Sequence, residues 1–348
     1  MDYRQLGSSS LEVSVIGLGT MTWGEQNSEK EAFEQMDYAI SQGVNFIDVA
    51  EVYPVPMRPE TSGRTESYVG NWMAERGCRD KIVLATKVAS RSENLEASRH
   101  IRGGPRLNRD QIRRAIEASL KRLRTDYVDL YQVHWPERQA NFFGKLNYEH
   151  SACDDVVPIS ETLAALAELV DEGLVKHIGI SNETPWGLHE YLRLSREESM
   201  PRLVSIQNAY NLLTRAYEVG LAEMGLRESV GLLAYSPLAF GVLTGKYSGN
   251  QMPENSRLSL WSRFSRYSSE LAASATQAYL EVAHKHSMSL AQMSLAFICQ
   301  QPFVASCLIG ATTMEQLKEN ISSFNLTLSA EILNDISQVN AVYPSPAA

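Results

Sequence analysis

The chain has 348 residues, 44% of them hydrophobic and 21% charged, a balance that supports a large buried core and excludes disordered and fibrous classes. This length exceeds the usual single-domain size, yet barrels of alternating strands and helices routinely run past about 250 residues as one unit. A formal net charge of -9 without any run of basic residues argues against a nucleic-acid partner.

Met1 to Leu6 lacks a basic segment followed by an apolar run, so no secretory signal is visible. No apolar stretch approaches the roughly 20 residues that span a bilayer, and no membrane association is expected. Cys78, Cys153, Cys299 and Cys307 form neither a CxxC pair nor a dense pattern, which implies no disulfide framework or zinc knuckle. A cytoplasmic location fits these features best.

Short apolar runs alternate with helical-period segments along the chain. Val13 to Gly19 reads as a strand and Glu29 to Ser41 as the helix after it; Val44 to Ala50 is the second strand, followed by a helix from Thr65 to Arg76. Lys81 to Val88 is the third strand. Asn108 caps a helix through Leu123, on which Ile112, Ile116, Leu120 and Leu123 fall on one face. Tyr127 to Trp135 is the fourth strand, Ser160 to Glu172 a helix stopped by Gly173, and Val175 to Ser181 the fifth strand. Pro185 opens the next helix, where a missing N–H costs nothing. Leu203 to Tyr210, Val230 to Pro237 and Val304 to Gly310 supply the last three strands.

These strands are apolar at nearly every position, as expected when helices cover both faces, so the sheet is predicted to be parallel. Eight strand–helix units close into an α/β architecture, the (β/α)₈ TIM barrel, spanning residues 1–348 as one domain. An open, doubly wound sheet is the alternative. Two stretches look inserted after strands, Pro54 to Arg64 and Glu137 to Pro158, at the end where barrel loops carry function.

Three motifs are set aside. Gly17 to Thr22 begins like a dinucleotide fingerprint, but Thr22 stands where its third glycine is needed. Gly241 to Tyr247 has the outline of a phosphate loop, yet Phe240 and Tyr247 occupy its required glycine and hydroxyl positions. His284 and His286, two apart on a helix, point to different faces and read as solvated.

The informative residues end adjacent strands. Asp48 closes the second, with Tyr53 just beyond it; Lys87 closes the third and His134 the fourth. Singly, each has an ordinary structural explanation, but together they would be costly to bury without a shared purpose. A phenol titrates near 10, so a nearby cation is needed if Tyr53 is to act as a general acid; Lys87 supplies it. Asp48 can hold that ammonium, and His134 can donate to a carbonyl oxygen that gains charge.

At this point the sequence resembles the aldo-keto reductase superfamily over essentially its whole length. The matching text is Gly43 to Tyr53, Thr86-Lys87, Asp126 to Trp135 and Gly179 to Asn182. The loop from Tyr53-Pro54-Val55-Pro56 through Pro59-Glu60-Thr61 looks most like the bacterial Tas-type branch, related to the potassium-channel β-subunit group. The resemblance implies a barrel with an N-terminal β-hairpin and long loops at its C-terminal face. It also implies a nicotinamide cofactor, NADP(H) above all, and a small aldehyde or ketone substrate. By resemblance Asp48, Tyr53, Lys87 and His134 are the catalytic tetrad, with Tyr53 protonating the carbonyl oxygen.

The same likeness assigns Thr20, Met21 and Asp48 to the cofactor's surroundings, Ser181, Asn182 and Gln207 to the nicotinamide carboxamide, and Tyr235 to stacking on its ring. Ser236, Pro237, Leu238 and Lys246 belong to the loop over the pyrophosphate. Arg257 lies near the phosphate end, Gly310, Thr312 and Gln316 by the adenosine phosphate, and Glu319 and Asn320 by adenine. Where many superfamily members carry a Lys-Ser pair and a downstream arginine, this chain has Ala311-Thr312 and Gln316. Arg257 and Lys246 are then the cations left for a 2′-phosphate.

Two competing functions are a redox-sensing module that keeps its cofactor and a Schiff-base enzyme with Lys87 as nucleophile. The full tetrad argues against the first, and Asp48, by keeping the lysine protonated, against the second. Trp23, Trp135, Phe142, Phe143 and Tyr148 either line an apolar substrate pocket or pack as ballast on the rim. Nothing in the sequence separates interface patches from core faces, so it leaves the oligomeric state open.

Overall fold

The computed structural model describes residues 1–92, 95–150, 155–262 and 264–347. Two strands, β1 (Tyr3–Gln5) and β2 (Glu12–Ser14), pair as an antiparallel hairpin. Eight more follow: β3 (Ile16–Gly19), β4 (Phe46–Asp48), β5 (Val83–Val88), β6 (Val128–Val133), β7 (Val175–Ser181), β8 (Leu203–Ala209), β9 (Gly231–Tyr235) and β10 (Val304–Ile309). These eight are parallel in chain order, and Ile309 on β10 pairs with Leu18 on β3 to close the barrel.

The stretch Val13 to Gly19, expected as one strand, is two. Ser14 pairs within the hairpin, Val15 N–H donates to the Asp2 carbonyl, and from Ile16 the chain takes partners from β10. The division has a packing cause. Leu6 and Val13 of the hairpin join Phe46, Val83, Ala85, Leu130, Val204, Leu233, Ala305 and Leu308 in one buried cluster. The hairpin thus plugs the N-terminal end of the barrel with apolar side chains. Other boundaries also tighten: β4 keeps three residues of the expected seven, and Lys81 falls in a 3₁₀ turn, Arg79–Lys81.

Helices cover the outside where the apolar spacing put them. Glu29–Ser41 starts at a Ser28 capping box with Glu31, and Arg109–Leu123 at Asn108, which accepts Gln111 N–H at 3.0 Å. Arg64–Arg76 is flanked by Gly63 and Gly77, both at positive φ. Ile159–Asp171 and Pro185–Glu197 match their expected positions to within a residue. Outward-facing Ile47, Leu84 and Tyr131 share a second cluster with Met36, Val69, Ile112 and Ile116 of the helices.

Among the described residues no helix is long and apolar enough to cross a membrane. Cys78, Cys299 and Cys307 are free and buried, and Cys153 lies outside the described residues. His284 is exposed, but the expectation for His286 is overturned: its Nε2 lies 2.7 Å from Asp335 Oδ2, half-buried against the helix Ala330–Val342. That helix is 49 residues away in sequence, beyond the reach of a local periodicity argument.

Candidate active site

Strand alternation turns every second side chain inward, and the inward set changes character along the barrel axis. Phe46, Ala85 and Leu130 belong to the apolar plug. Two residues further on the same faces stand Asp48, Lys87 and Gln132, all buried. The C-terminal layer of the interior is therefore polar.

Lys87 is fully buried, and its ammonium donates to Asp48 Oδ2 at 2.5 Å, to the Val49 carbonyl at 2.8 Å and to the Tyr53 hydroxyl at 3.4 Å. Three N–H bonds meet three acceptors, the full capacity of an ammonium. Asp48 Oδ1 accepts from Gln207 Nε2 at 2.9 Å and Gln132 Nε2 at 3.1 Å. Burial opposes the charge on Lys87, but Asp48 and Tyr53 outweigh it and hold the ammonium above its ordinary pKa.

Tyr53 departs from the sequence expectation. Burial raises its phenol above the ordinary value of 10.0, and Lys87 pulls in the opposite direction without overcoming it. The phenol therefore keeps its proton at neutral pH. Its ring meets the His134 imidazole edge-on, with centroids 5.7 Å apart. Burial first, and the Lys87 charge second, depress His134 well below the ordinary histidine value, so the imidazole is neutral. His134 Nδ1 is buried with no partner among the described residues.

Asp48, Tyr53 and His134 floor a cleft of about 1460 Å³ that runs over the mouth of the barrel to the helix Met314–Ser322. Every site residue nominated from the sequence lines this cleft except Lys87, which lies beneath its floor. In the inner half the polar groups are knitted together. Thr20 Oγ1 donates to the Asp48 carbonyl at 2.8 Å, and Ser181 Oγ to the Gln207 carbonyl at 2.7 Å. Asn182, at φ 54°, donates to the His134 carbonyl at 2.9 Å and accepts from the Tyr235 hydroxyl at 2.6 Å.

The outer half is built from loops. After Ser236 (φ 52°), Pro237 and Leu238, the turn Ala239–Thr244 carries Phe240 and Gly241 at positive φ. Lys246 packs on Gly241, where an added Cβ would come within 2.9 Å of Nζ. Arg257 opens the short helix Arg257–Leu260, with its guanidinium 5.5 Å and 5.4 Å from the ring centroids of Phe240 and Phe264. Burial depresses its pKa to about 10, and its guanidinium has no hydrogen-bond or ion-pair partner among the described residues. A half-buried cation on aromatic faces at the edge of the cleft, without a counter-charge among the described residues, fits an anionic ligand.

At the far end Thr313 caps Met314–Ser322 by accepting Gln316 N–H at 3.3 Å. Thr312 donates its N–H to Gln316 Oε1 at 3.0 Å, Glu319 accepts from Ser289 at 2.6 Å, and Asn320 donates to the Gly310 carbonyl at 3.4 Å. On the rim above Tyr53, Trp135 and Phe143 meet at 5.9 Å and Phe142 and Phe143 at 5.1 Å, and all three line the cleft. The two inserted stretches contribute here, Val55 and Met57 from one, Phe142 and Phe143 from the other. Trp23 instead lies in the core with Nε1 on Gln35 at 3.1 Å, and Tyr148 is exposed beside His150.

The model of the aldo/keto reductase family matches residues 15–341. The chain belongs to this family. It is 54% identical to Protein tas of Escherichia coli (strain K12) across the full length of both chains. An aldo-keto reductase of Babesia bovis is 37% identical over 76% of this chain and 98% of its own. Aldo-keto reductase YhdN of Bacillus subtilis (strain 168) is 31% identical over 97% of this chain and 93% of its own. This aldo/keto reductase is therefore of the Tas type and an oxidoreductase.

Sequence reasoning missed Gln132, which braces Asp48, and the Phe240–Phe264 cradle under Arg257. Gln132 had a usable signal, since it stands two residues before His134 on the expected strand Tyr127 to Trp135 and so should face the same way. The cradle had none, because its two rings are joined only by the path of the loops.

Proposed function

We propose that this aldo/keto reductase is an NADPH-dependent carbonyl reductase that converts small aldehydes or ketones to alcohols. The observation that carries this reading is the Tyr53 hydroxyl, 3.4 Å from an ammonium that Asp48 holds in place, at the floor of a cleft large enough for a dinucleotide and a small substrate. NADPH, when bound, supplies the hydride. Arg257 and Lys246 would hold its phosphates, the N-terminus of Met314–Ser322 its adenosine end, and Ser181, Asn182, Gln207 and Tyr235 its nicotinamide.

Tyr53 donates its proton to the carbonyl oxygen, and neutral His134 donates a hydrogen bond to the same oxygen. The phenolate left behind is stabilised by Lys87, whose charge Asp48 secures. Because the resting phenol is held above its ordinary pKa, the cation acts mainly on the charge that develops during transfer. The apolar rim of Trp135, Phe142 and Phe143 excludes water from the reacting carbonyl.

The test is NADPH oxidation, followed by absorbance, with a panel of aliphatic and aromatic aldehydes and ketones. Consumption matched by alcohol formation supports the reading. Tight NADPH binding without consumption would replace it with a redox-sensing module.

A further inference from the structure

Tyr53 is not held by a strand. It stands in the loop after β4, whereas Lys87 is fixed within β5, so their separation depends on how that loop is tied to that strand. Glu51, two residues before Tyr53, makes the tie. Its backbone N–H lies 3.4 Å from the Lys87 carbonyl, and its Oε1 accepts the N–H of Ala89, two residues beyond Lys87, at 2.5 Å. Its Oε2 is ion-paired with Arg102. Arg102 Nη2 in turn donates to the Ala89 carbonyl at 3.2 Å and Nε to Gln111 at 2.7 Å.

Both backbone polar groups of Ala89 are thus taken by one carboxylate–guanidinium pair, which stands where a neighbouring strand would be past the end of β5. The two side chains are only 5% and 9% exposed, so their charges are not screened away. The other buried carboxylate nearby, Glu66, is bound by Thr86 at 2.6 Å and Arg122 at 2.7 Å, and the hydroxyl of Tyr131 is buried without a partner among the described residues. Neither Glu51 nor Arg102 lines the cleft. Anything they do for chemistry, they do through the loop.

We propose that the Glu51–Arg102 pair is a positioning device that clamps the Tyr53 loop to the strand carrying Lys87 and thereby sets the distance between phenol and ammonium. The inference rests on Tyr53 being the proton donor. Displacement of a reacting group by about 1 Å costs on the order of 100-fold in rate. The titratable and charged groups facing Tyr53 are Lys87 from β5, Asp48 from β4, the neutral imidazole of His134 after β6 and Arg257 from its helix. Of these, Lys87 is the one carried by the strand to which the clamp ties the loop.

Glu51→Gln keeps the acceptor for Ala89 but leaves Arg102 without its counter-charge. The expected result is a fall in kcat for carbonyl reduction of about 10-fold or more, with KM for the carbonyl and Kd for NADPH within about twofold of wild type. The alkaline limb of the rate profile moves to higher pH, because a phenol further from its cation holds its proton more tightly. Arg102→Met should match Glu51→Gln, and Arg102→Lys should recover part of the loss. Should Glu51→Gln fail to fold, Arg102→Lys against Arg102→Met carries the same test. A folded Glu51→Gln protein with kcat within about twofold of wild type and an unmoved limb overturns the proposal, as does a loss of kcat with the limb unmoved. Wild type and Tyr53→Phe run alongside separate two failures: an inactive wild type or an active Tyr53→Phe overturns the proton-donor reading, and an unaffected Glu51→Gln overturns the clamp alone.

Discussion

Asp48 and Asp129 are both buried carboxylates on barrel strands, and both are ion-paired, yet only one stands in a cleft. Asp129, near the start of β6, binds Arg79 at 2.8 Å, Lys176 at 2.9 Å and the Leu84 N–H at 2.9 Å. Each of the two cations also lies over the Tyr127 ring, at 4.0 Å and 4.1 Å from its centroid. Asp48, at the end of β4, has a single ammonium, two side-chain amides and the opening of the cleft beside it. A buried ion pair is therefore no signature of chemistry. What distinguishes the Asp48 end is that its cation is shared with a phenol that faces open space, at the barrel face where function collects.

Breaking each carboxylate's pairing should separate the two roles. Lys87→Met leaves Asp48 buried and uncompensated, so we expect a loss of about 3–5 kcal/mol of stability together with nearly all turnover, read by denaturant unfolding and NADPH oxidation. Asp129→Asn keeps an acceptor for Leu84 but releases two cations that are partly solvated. It should cost about 1–3 kcal/mol while leaving kcat/KM within about twofold, and a large loss of turnover there would erase the contrast.

Arg257→Met sharpens the comparison from the other side of the cleft, since this cation has no partner among the described residues to strand. We expect Kd for NADPH to rise about 10-fold or more, the preference over NADH to narrow, and stability to hold, measured by nucleotide fluorescence titration. The smallest effect is one of pH. A phenol held above 10 stays protonated through the neutral range, so the Tyr53 limb of carbonyl reduction should lie above pH 10. A decline with a midpoint near pH 7 would assign the acid to another group.

The barrel was legible because its strands are apolar on both faces and its helices carry their own caps, both local properties of the chain. Asp48, Lys87 and His134 were legible because ionisable residues at the ends of apolar strands stand out against their background. Gln132 bears no charge and did not stand out, although it shares a face with His134. The Glu51–Arg102 pair joins positions 51 apart through a loop that has no periodicity to place it. Aromatic residue type gave no direction, so Trp23 in the core and Phe143 on the rim looked alike. The direction of the Tyr53 shift also escaped, because the sequence offers the cation but not the depth of burial that outweighs it.

The central claim is that the Tyr53 hydroxyl gives the carbonyl oxygen its proton. Tyr53→Phe, assayed for NADPH affinity and aldehyde turnover in the same preparation, tests it most directly. Affinity within about twofold of wild type with turnover down by about 100-fold or more is the result expected when the ring stays and only the proton is lost. Turnover preserved in that variant would contradict the account.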